Sequence, residues 1–212
     1  MTHSRRTRVK FCGMTSAADV ALAVEAGADA VGIIVAHSPR RVALDALAAI
    51  ATAIPPFVAR IGVVADQGEV EAAALRAHGF TLQFSGEESP DVCRRLSAGT
   101  PYIKVFHVDP EAGAIDVARC AAYPEALWMF DTRWPGARGG SGRAFDWTAI
   151  AAICGERDVV VSGGLTPENV ADCIGAVRPY AVDVRGGVET DGRKDPTKMR
   201  AFLAGVLRAR ET

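Results

Sequence analysis

Two side chains of the sequence have types and positions suited to proton transfer. Asp131 follows the apolar run 127–130, and Cys12 ends another strand-like run with Gly13 directly behind it. A carboxylate at the end of a buried strand costs free energy unless it is partnered or functional. A thiol can act as a general base where its surroundings favour the thiolate. A loop-bracing aspartate and a small buried cysteine are the alternative interpretations, so neither residue alone decides for acid–base chemistry.

Two glycine pairs indicate a phosphate site. Gly163 and Gly164 follow one apolar run, and Gly186 and Gly187 follow the next. Glycine lets bare backbone N–H groups approach an anion closely, although a single pair is equally well explained as a tight turn. Because the two pairs lie in consecutive loops at the end of the chain, the sequence predicts phosphate binding there.

Two further loops carry groups that fit a small anionic substrate. Arg40 follows the second apolar run, and a guanidinium fork can hold a carboxylate through two hydrogen bonds; a solvated arginine is the alternative. The loop 133–143 is rich in glycine and arginine and contains Gly140 and Ser141. A loop of this length in a small domain often acts as a lid or a substrate clamp.

Short apolar segments that alternate with amphipathic ones must position these residues. The apolar segments are rich in valine and isoleucine and nearly continuous in hydrophobicity, which is typical of strands buried on both faces. We predict strands at Val9–Cys12, Ala30–Val35, Ala59–Val64, Thr81–Phe84, Tyr102–Val108, Leu127–Asp131, Val159–Ser162 and Ala181–Val184. We predict helices over 16–26, 44–53, 69–78, 91–96, 115–122, 147–154, 167–177 and 197–208. The segment 166–168 (Thr-Pro-Glu) has the signature of a helix start.

The alternation of eight strands and eight helices determines the predicted fold. It favours a parallel sheet without strand-to-strand hairpins, and eight such strands close a barrel. We therefore predict an α/β protein with a single (β/α)₈ TIM-barrel domain over residues 1–212, in which residues 1–7 form a flexible tail. The catalytic and ligand-binding residues of such barrels lie at the C-terminal ends of the strands, and Cys12 and Asp131 are at such ends.

The composition argues against several classes of protein. The formal net charge is −1, which does not favour a nucleic-acid or membrane partner. No apolar run approaches the roughly 20 residues of a membrane helix, and the first eight residues lack the apolar segment of a secretory signal. Five scattered cysteines without CxxC spacing favour a reducing compartment, so we expect a cytoplasmic protein. We expect no metal, because the histidines are not spaced as ligands: His37, His78 and His107.

Seven blocks of sequence form a larger pattern that runs from the first strand to the last helix. They are 9–15 (VKFCGMT), 25–32 (EAGADAVG), 130–132 (FDT), 139–147 (GGSGRAFDW), 162–170 (SGGLTPENV), 178–184 (RPYAVDV) and 187–189 (GVE). Together they resemble the phosphoribosylanthranilate isomerase family of tryptophan biosynthesis. Each glycine motif alone is weak, but the ordered set covers nearly the whole chain and is specific.

The resemblance implies an enzyme that acts on a small phosphorylated sugar without a metal or an organic cofactor. Its reaction is the Amadori rearrangement of N-(5-phosphoribosyl)anthranilate to 1-(2-carboxyphenylamino)-1-deoxyribulose 5-phosphate. An acid protonates the ribose ring oxygen so that the ring opens to a Schiff base, and a base takes the proton from the neighbouring sugar carbon. Asp131 matches the family's general acid and Cys12 its general base. An acid that keeps its proton needs a raised pKa.

The resemblance also implies substrate contacts. Arg40 matches the arginine that holds the anthranilate carboxylate, and the two glycine pairs match the phosphate site. We expect further contacts with the substrate from Ser85, Gly140, Ser141 and Arg185. Both a monomer and a homodimer are consistent with the sequence.

The chain departs from the family pattern at three places. Ser85 stands where the family usually has histidine, Arg185 and Gly186 replace two serines, and Arg143 stands where lysine is usual. None of these changes removes a predicted catalytic group. They do bear on whether the anthranilate pocket is the same as in the family and on whether the protein has full activity.

Two other functions fit parts of the pattern. A sister isomerase of histidine biosynthesis, or a dual-substrate enzyme, shares the fold but works with an aspartate at the position of Cys12 and binds two phosphates. A non-catalytic phosphoribosyl-binding paralogue would explain Ser85 and Arg185, but it would not explain the presence of both Cys12 and Asp131. The phosphoribosylanthranilate isomerase therefore accounts for more of the sequence than either alternative.

The alternation of side chains along a strand adds two geometric predictions. Lys10 shares the inward face with Cys12, and Asp183 shares it with Arg185. Because the first and last strands are neighbours in a closed barrel, we predict a buried Lys10–Asp183 pair below the site. We predict that Arg185 points inward, where it would strengthen phosphate binding and stabilise a Cys12 thiolate. The alternative is an outward position beside Glu189.

Overall fold

In the computed structural model, eight parallel strands follow one another in chain order around a closed barrel. The structure describes residues 6–66, 68–109, 115–132 and 144–209. The bounds of the strands are β1 Arg8–Cys12, β2 Ala30–Ile34, β3 Ala59–Val64, β4 Thr81–Phe84, β5 Ile103–Val108, β6 Leu127–Thr132, β7 Val159–Ser162 and β8 Ala181–Val184. The predicted TIM barrel is confirmed.

An α-helix follows each strand of the barrel. The bounds of these helices are α1 Ala17–Glu25, α2 Leu47–Ala53, α3 Glu69–Ala77, α4 Pro90–Ser97, α5 Val117–Ala121, α6 Ala151–Glu156, α7 Val170–Val177 and α8 Pro196–Arg208. Short 3₁₀ turns at Leu44–Ala46 and Trp147–Ile150 lead into α2 and α6. Within the described ranges, no helix has the length and apolar character needed to cross a bilayer.

The start of α7 differs from its prediction. The regular helix begins at Val170 and not at Pro167, because residues 166–169 form a turn in which the Asn169 N–H donates to the Thr166 carbonyl at 3.3 Å. The Asn169 amide oxygen accepts a hydrogen bond from the Thr166 backbone at 2.8 Å, and its nitrogen donates to the Gly164 carbonyl at 2.9 Å. The Thr-Pro-Glu segment therefore forms part of the loop after β7.

A short antiparallel hairpin occupies the loop after β8. Its strands are β9 Glu189–Thr190 and β10 Arg193–Lys194. The sequence did not predict this hairpin, which is separate from the parallel barrel. The turn residues Asp191 and Gly192 both have positive φ, 51° and 75°, which is the backbone that a two-residue Asp-Gly hairpin turn requires.

The predicted tail over residues 1–7 is wrong for residues 6 and 7. The Arg6 guanidinium pairs with Asp29, with one N–O distance of 2.9 Å, and the Thr7 hydroxyl donates to the Pro179 carbonyl at 3.1 Å. These contacts fix the chain to the N-terminal end of the barrel. Residues 1–5 lie outside the described part.

The barrel interior has an apolar layer with a polar layer above it. The apolar layer consists of Ile61, Ile103, Val105, Met129, Val160 and Ala181. Above it, Lys10 Nζ donates to Asp183 Oδ1 at 2.6 Å, and each side chain is 5% exposed. The Ser162 hydroxyl donates to Asp183 Oδ2 at 3.0 Å. The predicted Lys10–Asp183 pair is thus confirmed.

A second buried ion pair, which the sequence analysis missed, supports the loops after β3 and β4. Lys104 Nζ lies 2.8 Å from Glu88 Oε2 and donates to the Gly86 carbonyl at 2.7 Å. Glu88 Oε1 accepts from the Asp66 backbone N–H at 2.8 Å. Because Lys104 and Glu88 are almost fully buried, they fix these two loops at the rim of the barrel.

Candidate active site

A cavity of about 1150 Å³ opens at the C-terminal ends of the barrel strands. Of the residues predicted to form the site, those that line the cavity are Cys12, Ser85, Asp131, Gly163, Gly164, Arg185, Gly186 and Gly187. Gly140 and Ser141 lie outside the described residues. The strand ends thus bring together the predicted acid, the predicted base and both glycine pairs.

Cys12 lies at the end of β1 directly above the Lys10 ammonium. Gly32 on the neighbouring strand leaves room for both side chains, since a Cβ there would lie 2.9 Å from the Cys12 sulfur. Burial tends to lower the pKa of Lys10, but the Asp183 carboxylate and the Cys12 sulfur raise it above its ordinary value. Lys10 therefore supplies a fixed positive charge beneath the thiol.

Asp131 lies at the end of β6, between His107 of β5 and Ser162 of β7 in the strand register. Its pKa is raised, mainly because the cavity wall partly removes the carboxyl from solvent, although 35% of the side chain stays exposed. The charge of His107, the charge of Arg185 and a hydrogen bond from Ser162 oppose this rise, whereas the Asp183 carboxylate adds to it. The carboxyl thus keeps its proton to higher pH than an exposed aspartate, which a general acid requires.

The loops after β7 and β8 lie against each other and form one wall of the cavity. A Cβ on Gly187 would lie 2.0 Å from the Leu165 carbonyl oxygen, so a larger residue would push the loops apart. A Cβ on Gly163, whose φ is +84°, would lie 2.2 Å from the Thr132 backbone nitrogen. The two glycines therefore allow backbone to form the wall where side chains would otherwise stand, which suits an anion-binding surface.

Arg40 lies beside the cavity and is engaged by a protein carboxylate. Its guanidinium holds Glu189 through two hydrogen bonds, one of them Nε to Oε1 at 2.8 Å. Lys194 Nζ donates to the same Oε1 at 2.7 Å. Burial would raise the pKa of Glu189, but these two cations hold it below its ordinary value. The structure thus brings Arg40 to Glu189 and does not place it on the cavity wall.

Comparison with known proteins identifies the family. The sequence profile of N-(5'-phosphoribosyl)anthranilate (PRA) isomerase matches residues 9–204. The chain belongs to the PRA isomerase family. A curated PRA isomerase of Desulforudis audaxviator is 44% identical over 199 residues, which cover 93% of this chain and 96% of that protein.

Solved PRA isomerases share the fold over almost their whole length. The Thermotoga maritima PRA isomerase superimposes with a TM-score of 0.85 at 35% identity, over 95% of this chain and 99% of the other. A structure in complex with reduced 1-(o-carboxyphenylamino)-1-deoxyribulose 5-phosphate has a TM-score of 0.82 at 34% identity, with the same coverage. Monomers generated from the dimeric Thermotoga maritima enzyme have a TM-score of 0.80 at 32% identity, again with that coverage.

Two positions at which this PRA isomerase family member departs from the family pattern meet the cavity. Arg185 lines it, and its aliphatic part lies near Gly13, where a Cβ would be 3.4 Å from the Arg185 Cγ. Ser85 lines the cavity too, and its carbonyl oxygen lies 3.0 Å from Nε2 of His107. The Arg185 charge acts on the pKa of the predicted acid Asp131, whereas the contact of Ser85 with His107 uses backbone that any residue would offer.

Lys194 is a residue of the site that the sequence analysis missed. Its ammonium, almost fully buried, donates to the Cys12 carbonyl at 2.7 Å and to the Arg185 carbonyl at 3.3 Å. Burial lowers the pKa of Lys194, and its ion pair with Glu189 only partly opposes this effect. The Asp-Gly turn at 191–192 was the available signal, because it pairs Lys194 with Glu189 across the hairpin.

The described residues contain no group of three or more His, Cys, Asp or Glu side chains with the geometry to hold a metal ion. The residues that line the cavity are of types that can transfer protons and bind an anion. Both rest on side chains and backbone at the strand ends.

Proposed function

We propose that the protein converts N-(5-phosphoribosyl)anthranilate to 1-(2-carboxyphenylamino)-1-deoxyribulose 5-phosphate, a step of tryptophan biosynthesis. The observation that carries this proposal is the pairing of Asp131, whose raised pKa suits an acid, with the Cys12 thiol in one cavity. Family membership and the relative solved with a reduced deoxyribulose phosphate product support the choice of substrate.

In the proposed reaction Asp131 gives its proton to the ribose ring oxygen. The bond between that oxygen and C1′ breaks, and the anthranilate nitrogen becomes part of a protonated Schiff base. The Cys12 thiolate then takes the proton from C2′, and the resulting enolamine tautomerises to the ketone. β1 and β6 are three strands apart around the barrel, so the base and the acid approach the sugar from different sides.

The substrate has two anionic ends, and we propose one site for each. The backbone of the loops with Gly163, Gly164, Gly186 and Gly187 holds the phosphate. Arg40 holds the anthranilate carboxylate after it has released Glu189. Ser85 and Arg185 contact the bound substrate from the cavity wall, and Gly140 and Ser141 contact it from the glycine-rich loop.

We further propose that the chain forms one barrel domain, works as a monomer or a homodimer, and acts in the cytoplasm. The unbroken chain order of the eight strands around one barrel supports the single domain. The relative from Thermotoga maritima is dimeric, which supports the homodimer. The scattered free cysteines support a reducing compartment.

A turnover assay tests the proposed function. The fluorescence of the anthranilate adduct should decay when the protein is added, and the variant Asp131→Asn should abolish most of this decay. Turnover of a phosphoribosylated imidazole carboxamide in place of the anthranilate adduct would point to the sister isomerase. Saturable binding of the anthranilate adduct without turnover would point to a non-catalytic paralogue.

A further inference from the structure

Lys194 is a buried lysine whose ammonium lies at the seam of the barrel, where the first strand β1 meets the last strand β8. Its Nζ donates to the Cys12 carbonyl at 2.7 Å, to the Arg185 carbonyl at 3.3 Å and to Glu189 Oε1 at 2.7 Å. An ammonium has three donors, and these contacts use all of them. The side chain is 3% exposed and does not line the cavity. Lys194 is therefore not placed to touch a substrate, and the mechanism described so far gives it no part.

The two carbonyls that this ammonium holds lie where the ladder between β1 and β8 stops. The last residues that the two strands pair are Phe11 and Val184. The next residues, Cys12 and Arg185, would form the following pair, but the Arg185 backbone turns out of the strand with φ −123° and ψ −79°. The chain then enters the 3₁₀ turn Gly186–Val188, which carries the second glycine pair. Backbone pairing across the seam therefore ends where the chain turns toward the proposed phosphate site.

The end of β1 is held differently on its other side. Cys12 is paired with Gly32 of β2, and the N–H groups of Gly13 and Met14 both donate to the Gly32 carbonyl, at 2.8 Å and 2.9 Å. Backbone hydrogen bonds thus fix the predicted base relative to β2. Toward β8, the contact that the structure describes at the level of the Cys12 carbonyl is the one that Lys194 makes.

The backbone that carries the ammonium is anchored on both sides of Lys194. Lys194 lies opposite Glu189 in the register of the β9–β10 hairpin. The next residue, Asp195, donates its N–H to the Val188 carbonyl at 3.0 Å and accepts from the Thr197 N–H at the start of α8 at 2.8 Å. The side chain therefore reaches the seam from a fixed position between the hairpin and the helix.

We propose that Lys194 is a positioning residue whose ammonium takes the place of the missing pair and fixes Cys12 and Arg185 on either side of the seam. This inference rests on the proposed role of Cys12 as the base. The base has to meet one C–H bond of the sugar, and a displacement of about 1 Å from the productive geometry can cost about 10²-fold in rate. A clamp on the Cys12 backbone therefore acts on the rate without touching the substrate.

Hydrogen exchange of the free protein, followed by NMR, tests the clamp on the strand ends. In Lys194→Met the amides of Gly13 and Arg185 should exchange about tenfold faster than in the wild type, because local opening at the seam becomes easier. The amides of Val9 and Val182, lower in the same strands, should change far less. A rise of equal size at all four amides would mean a general loss of stability and would overturn the proposal, as would unchanged exchange at the strand ends.

Turnover tests the consequence for the base. Lys194→Met should lower kcat at saturating substrate by about 10- to 100-fold, because the thiol no longer meets the sugar in the productive geometry. KM should rise as well, since Glu189 then has Arg40 as its remaining cation and competes more strongly with the substrate carboxylate. Measurement at saturation separates the two effects. If Lys194→Met folds and its kcat is within about twofold of the wild-type value, the proposal is wrong.

The matched control is Arg193→Met, which removes a cation from the preceding residue of the same hairpin strand, where the side chain is exposed. It should keep wild-type exchange and kcat, and equal effects in both variants would contradict a specific clamp. If Lys194→Met does not fold, Lys194→Gln is measured in its place; its shorter, uncharged amide should give the same local pattern with a smaller size. Exchange needs no substrate, so it decides the role of Lys194 separately from the proposed reaction.

Discussion

Replacement of Lys10 by methionine should strongly destabilise the barrel. Lys10 Nζ lies 2.6 Å from Asp183 Oδ1, and both side chains are 5% exposed, so neither charge has water as an alternative partner. Methionine fills most of the same space but removes the counter-charge of the Asp183 carboxylate, whose other oxygen accepts a hydrogen bond from the uncharged Ser162 hydroxyl. The cost is therefore that of a buried carboxylate without its counter-charge.

Loss of one partner of a buried ion pair typically costs about 3–5 kcal/mol. For a domain of this size each kcal/mol lowers Tm by roughly 2–4 °C, so Lys10→Met should melt roughly 6–20 °C below the wild type. Urea unfolding at pH 7, followed by circular dichroism, measures the free energy directly. The double variant Lys10→Met/Asp183→Asn should recover part of the loss, because it removes the uncompensated charge.

Arg94→Met is the control for loss of a charge as such, since Arg94 pairs with Asp91 on the surface and is 46% exposed. It should lower the free energy of unfolding far less than Lys10→Met does, because solvent screens an exposed ion pair. A Lys10→Met protein within about 1 kcal/mol of the wild type would refute the reasoning. So would a double variant less stable than Lys10→Met.

Three further predictions concern the site. Cys12→Ala and Asp131→Asn should each lower kcat by about 10²–10⁴-fold with unchanged circular dichroism; a variant that keeps most of its rate would disprove its assigned role. Arg185→Ser should raise KM and move the alkaline limb of the pH–rate profile to higher pH, because the Arg185 charge holds the pKa of Asp131 down. An unmoved profile would show that Arg185 has no effect on the acid. Because the pKa of Glu189 lies below its usual 4.5, Glu189 adds stability above about pH 4.5 that is lost on further acidification. The urea midpoint of Glu189→Gln, measured between pH 3 and 7, should therefore fall less steeply on acidification than that of the wild type. A midpoint that falls as steeply as in the wild type would contradict this.

The strands could be predicted closely because both of their faces are buried. The sequence of a strand inside a barrel is an unbroken apolar run, and the run ends where the chain reaches the solvent-exposed rim. The ends of the apolar run therefore mark the bounds of the strand. The predicted bounds of β3, β4, β7 and β8 agree with the structure. The start of α7 was predicted three residues early because the contacts that cap Thr166 close a turn over 166–169, and the regular helix begins only at Val170.

The candidate site was predictable where it depends on strand ends and unpredictable where it depends on loops. Cys12 and Asp131 line the cavity because the last residues of barrel strands must do so. The pairing of Arg40 with Glu189 joins residues 149 positions apart, and only the packing of two loops decides it. The placement of the His107 ring likewise depends on a backbone carbonyl of the neighbouring strand.

If Arg40 binds the carboxylate of the substrate as proposed, its ion pair with Glu189 makes Glu189 a tethered competitor for that carboxylate. A carboxylate held in place by the fold has an effective concentration at Arg40 of millimolar order or higher. A small aromatic acid in solution exchanges one ion pair for another and gains little affinity. A ligand whose phosphate binds at the site proposed for the glycine loops is tethered too, and it should displace Glu189 at ordinary concentrations. The enzyme should therefore bind free anthranilate only weakly, even though anthranilate carries the same carboxylate as the substrate.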